Sequence, residues 1–96
     1  MVNAARRPST PGAPAAPRAD VRILNVAKRR VAVVTDWGYT VAETNEGELR
    51  LRDVVEGPFE ATGRCTWNNL STGLPVSVTV THVQATMIGA ERLVQR

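Results

Sequence analysis

Residues 57–82, GPFEATGRCTWNNLSTGLPVSVTVTH, carry the only cysteine, the only histidine and one of the two tryptophans of this 96-residue chain. A thiol and an imidazole form a minimal nucleophilic pair, in which the imidazole takes the proton and the thiolate attacks. They work only within hydrogen-bond reach, so everything depends on where Cys65 and His82 are held. The pattern around them is that of a strand. Phe59, Ala61, Gly63, Cys65 and Trp67 alternate with Glu60, Thr62, Arg64, Thr66 and Asn68, a period of two across ten residues. After NNLSTG, a second run places Leu74, Val76, Val78 and Val80 on one face and Ser77, Thr79 and Thr81 on the other. Pairing Trp67 with Leu74 sets Cys65 opposite Val76, Gly63 opposite Val78 and Phe59 opposite His82. Cys65 and His82 then stand roughly 25 Å apart along a hairpin, and no catalytic residue is expected.

Other chemistries fare no better. A metal site would draw on His82 with Asp36, Asp53 or Glu56 as loop donors, and one histidine with scattered acids has no ligand spacing. A glycine-rich phosphate loop leading into a helix is absent, so no cofactor is expected. Glu43, Glu46 and Glu48 surround the expected turn 45–47 and read as a solvated hairpin tip rather than a catalytic pair. The basic turn Lys28-Arg29-Arg30 could grip phosphates, with Trp37 and Tyr39 as stacking platforms for bases. The competing reading is a charged turn that keeps an edge strand soluble, with the aromatics in the core. The chain has four aromatic residues, and a small core needs most of them.

The elements that must position these residues are short and β-rich. Val21–Val26, Val31–Asp36 and Tyr39–Thr44 read as strands, separated by the basic turn and by Asp36-Trp37-Gly38. Asn45-Glu46-Gly47 reads as a hairpin turn and Glu48–Val54 as a strand, with Leu49 and Leu51 on one face, broken by Glu56-Gly57-Pro58. Gly63 marks a bend. Residues 87–94 suit either a closing strand or a short helix. Six strands in some 75 residues predict an all-β domain, a small antiparallel barrel of OB or SH3-like type or else a compact β-sandwich.

Residues 1–20 are different in kind. They hold four of the six prolines and three arginines against one aspartate, with no apolar face, so an extended and mobile arm is expected. Residues 21–96 carry nine basic and eight acidic side chains, nearly neutral within a total of +3. The single cysteine excludes an internal disulfide. The arm lacks the apolar run of a secretory signal, and the expected location is cytoplasmic or in a virion. Val, Ala and Arg are the commonest residues and Pro is concentrated in the opening segment, a bias associated with GC-rich genomes such as those of actinobacteria and their phages.

A barrel this small has a modest core and gains from association. The function expected is therefore non-enzymatic assembly, with Arg6, Arg7 and Arg18 of the arm binding protein subunits, as in a capsid-stabilising or connector protein of a phage. The alternative is a small nucleic-acid-binding or regulatory module that uses the arm and Lys28, Arg29 and Arg30. No membrane partner is expected.

Overall fold

The computed structural model describes residues 17–96; Arg6 and Arg7 lie outside the described residues. Val31 to Val34 form an unbroken apolar run rather than an alternating one, because the strand that holds them, β2 (Arg30–Thr35), is covered on both faces. It lies between β1 (Arg18–Asn25) and β3 (Gly38–Glu46) in an antiparallel meander. A second meander follows, β4 (Val54–Glu56), β5 (Gly63–Asn69) and β6 (Leu74–Ala85). Antiparallel pairing of β3 with β6 and of β1 with β4 joins the two into a closed barrel of order β1-β2-β3-β6-β5-β4. The expected small antiparallel barrel is what forms, and closure sets the sandwich aside.

Inside the barrel, Val21, Val31, Val33, Ala42, Val55, Trp67, Val76, Val78 and Val80 make one core, plugged by Leu49 and Phe59. Leu49 comes from the β3–β4 connection and Phe59 from the β4–β5 connection. Outside the first meander, Ala32 and Val41 pack against Ala90 and Val94 of a helix, α1 (Met87–Gln95). Residues 87–94 thus take the helical alternative. Thr86 caps it, its hydroxyl accepting from Gly89 N at 3.0 Å. The register of β1 on β2 shifts between Val21 and Ile23. This bulge turns Ile23 out to the helix while Val21 and Leu24 face the barrel core.

Three local expectations are corrected. Asn45-Glu46-Gly47 is not a hairpin turn, since β3 runs on to Glu46, and residues 48–53 form a crossover instead of a strand. Leu49 and Leu51 therefore do not share a face: Leu49 is buried and Leu51 is 56% exposed. Arg52 holds a left-handed φ of 73° there. The crossover is pinned by Asn69, which is fully buried and donates to Asp53 Oδ2 at 2.8 Å while accepting from Ser71 N at 2.9 Å.

The same asparagine tightens the hairpin. Asn69 pairs with Leu74 around a four-residue loop closed by Gly73 N to Asn69 O at 2.7 Å, with Gly73 at φ +78°. The pairing slides by two residues relative to expectation: Trp67 faces Val76, Cys65 faces Val78 and Gly63 faces Val80. A shift of two preserves which side chains point inward. Phe59 does not pair with His82, because β5 begins only at Gly63.

Candidate binding groove

At the end of the barrel that Phe59 plugs, β1 begins, β2 turns into β3 and β6 ends. A groove of about 200 Å³ opens there. Buried Thr40 and Phe59 form its floor, and the Thr40 hydroxyl donates to Phe59 O at 2.9 Å, tying the plug to β3. Trp37 and Gln84 line its sides, while the exposed Asp36 and Glu60 leave carboxylates at the rim. Pro17 and Arg18, where the described chain enters the barrel, complete it.

The Trp37 ring is 65% exposed, and the cause is local. Thr35 pairs with Gly38 across a two-residue turn, so Asp36 and Trp37 occupy its tip. The Thr35 hydroxyl accepts from Trp37 N at 3.1 Å and donates to Gly38 O at 2.7 Å. Gly38 takes φ +125° and sits so close to β6 that a Cβ would meet Ala85 O at 3.1 Å. Only glycine fits both demands. A tryptophan locked at such a tip cannot fold back into the core. Among the described residues neither Asp36 nor Glu60 makes an ion pair, whereas Arg18 meets Glu56 at 3.7 Å.

The basic turn lies at the other end. β2 carries the chain from Arg30 to Thr35, so Lys28, Arg29 and Arg30 stand roughly 20 Å from Trp37. Arg29, at φ 56°, donates through Nε to Thr44 O at 2.9 Å and through Nη2 to Asn45 O at 3.3 Å. Arg30 donates to Arg96 O and faces Glu43 at 3.7 Å. Lys28 is exposed, its amide held by Asn25 Oδ1 at 3.1 Å. Tyr39, unlike Trp37, is half-buried and packs with the cluster beneath α1. The five residues considered for nucleic acid are thus not assembled on one surface.

Cys65 and His82 do not meet either. Cys65 packs against the barrel core, while His82 is exposed on the outer wall beside Arg30 and Leu93. A register shift between Val41 and Ala42 at Thr81 turns His82 outward. His82 lies four residues beyond Val78, the partner of Cys65, which is about 13 Å along the strand rather than 25 Å. Its Nδ1 lies 3.0 Å from the Thr81 hydroxyl. Among the described residues no three His, Cys, Asp or Glu side chains gather as a metal set.

Burial pushes the Cys65 thiol above its ordinary value of 9.0, against an opposing hydrogen bond with Trp67. At pH 7 the group is therefore a thiol, and a disulfide reagent should label the folded protein more slowly than an unstructured cysteine peptide. A folded value above the unfolded one means that this contribution to stability is whole below about pH 9. It is then lost as pH rises through the folded value. Labelling as fast as the peptide would overturn this assignment.

No helix among the described residues is long and apolar enough to cross a membrane. Comparison with models of known families, with curated proteins and with solved structures finds no match to this chain. The sequence pattern missed Glu60, Thr40, Phe59 and Gln84 as groove residues. Its one usable signal was Asp36-Trp37-Gly38, a turn sequence that must hold its central ring outside.

Proposed function

We propose that this chain is a non-enzymatic assembly protein, a small β-barrel whose N-terminal arm locks onto neighbouring subunits. Its concrete form is a phage virion component that stabilises a capsid or joins two parts of the particle. The observation that carries this reading is the position of the groove. The arm enters the barrel at Pro17 and Arg18, on the rim of a groove displaying a tryptophan 65% exposed. Exposed tryptophans of this kind are typical anchors of protein contacts. Closure of the barrel adds support, because every strand has two neighbours and little edge remains for strand-to-strand association. The bias toward Val, Ala and Arg fits a GC-rich source such as a phage of actinobacteria.

The test is truncation, and the point of truncation matters. Arg18, Ala19 and Asp20 pair with Glu56, Val55 and Val54 in the seam that closes the barrel, and Ala19 is buried. Removing 1–16 should shift the melting temperature by no more than about 3 °C and abolish association in sedimentation. Removing 1–20, the expected arm, should instead open the β1–β4 seam and lower the melting temperature strongly. Normal assembly after loss of 1–16 would refute the arm's role.

A further inference from the structure

Pro8, Pro11, Pro14 and Pro17 recur at intervals of three. Three residues is one turn of a polyproline II helix, so all four rings would fall on a single face of such a helix. Immediately before them stand Arg6 and Arg7. Segments with prolines at this period dock into grooves lined by aromatic rings, because the extended helix is largely pre-ordered and loses little entropy on binding. The barrel offers such a groove, with Trp37 beside it, Phe59 in its floor, and the carboxylates of Asp36 and Glu60 at its rim. The exposed Trp37 suits the prolines, and the acids match the two arginines.

We infer that the Trp37–Phe59 groove of one copy binds the segment Arg6–Pro14 of a second copy, with Arg6 and Arg7 against Asp36 and Glu60. This rests on the assembly reading above and names the partner of that arm. The choice of a second copy follows from reach. Pro17 lines the groove of its own chain. A polyproline II helix rises about 3.1 Å per residue, so in that conformation Arg6 and Arg7 would stand roughly 31–34 Å from Pro17. Arginines held at that distance would lie beyond their own groove and within reach of a neighbour's. Each chain then gives one arm and receives one, which joins copies either reciprocally or in a head-to-tail series.

The experiment uses the full-length chain and its variants, followed by sedimentation equilibrium with a thermal melt of each variant. The wild type should self-associate, and raised salt should weaken it. Trp37→Ala should raise the dissociation constant at least about tenfold with the melt unchanged, since the ring is exposed. The chain with Arg6→Glu and Arg7→Glu, and the chain with Asp36→Lys and Glu60→Lys, should each be monomeric. Mixing those two should restore a complex, because the acidic arm of one meets the basic groove of the other. The chain carrying all four substitutions should self-associate.

Two monomeric variants that stay monomeric when mixed, beside a four-fold variant with full protection of Trp37 from quenching, would mean that the arm folds onto its own barrel. That result overturns the inference. A wild-type chain that is monomeric at every concentration also overturns it, yet leaves the assembly reading standing with a different protein as partner. Self-association unaffected by every one of these substitutions and by loss of 1–16 would remove both.

Discussion

Replacing Val78 by aspartate is expected to unfold the barrel, whereas the same change one residue later, at Thr79, is expected to cost under about 1 kcal/mol. Val78 is fully buried opposite Cys65, among the side chains of β5, β6 and the first meander. A carboxylate there joins a cluster of Val, Trp and Phe, with no buried Lys or Arg among the described residues, and an unpaired buried charge costs several kcal/mol. A domain of some 80 residues has a total stability on the order of 4–12 kcal/mol, so the loss takes most or all of it. Thr79 is half-buried on the outer face, where its hydroxyl accepts from Asn45 Nδ2 at 2.8 Å. Aspartate there keeps an acceptor and meets solvent. Equal urea midpoints for the two variants would show that the faces of β6 are misassigned.

The second large effect centres on Trp67, the biggest fully buried side chain. Its Nε1 donates to Pro58 O at 2.9 Å, and its ring meets Phe59 edge-to-face at 5.1 Å. One indole therefore holds both the loop that leads to the groove and the plug that forms its floor. Trp67→Ala should cost about 3–5 kcal/mol and release Phe59 from the groove. Gly57 lies against the same ring, where a Cβ would fall 2.5 Å from Trp67 Cδ1. Gly57→Ala alone should cost about 1–3 kcal/mol through overpacking. Beside Trp67→Ala the contact with the indole is gone and only the Cα of residue 67 stays close, at 3.2 Å, so the second substitution should cost less than it does alone. Simple addition of the two losses in a double-mutant cycle would show that the Gly57 contact is not the reason for the glycine.

Much of this architecture was open to reading along the chain. The alternation of Cys65 and Trp67 with Arg64 and Thr66, and of Val76, Val78 and Val80 with Ser77 and Thr79, assigned inward faces correctly even though the hairpin register slid by two residues. A slip of one would have reversed every side chain, and the core would have resisted it. Cys65 as a half-buried small side chain packed against the core follows from the same alternation. The groove was legible in one place only, the turn Asp36-Trp37-Gly38. Glu60 and Gln84 were invisible, because nothing in a polar loop residue or a strand terminus announces which other loop it will stand beside.

Periodicity of two and turn chemistry determined by themselves that this protein holds a small β-domain, since these are local properties of the backbone and of side-chain spacing. Tertiary structure alone decided the rest. Met87–Gln95 became a helix because the outer faces of Ala32 and Val41 needed cover, which no window of nine residues could reveal. Residues 48–53 were kept from being a strand because closure of the barrel seam required a crossover in their place, with Asn69 and Asp53 bonded across 16 residues. The groove joins Pro17, Trp37, Phe59 and Gln84, brought together only when a closed sheet carries their loops to one end. Contacts of that sequence separation form only after loop closure has brought the ends together, so they belong to the fold and not to any segment of it.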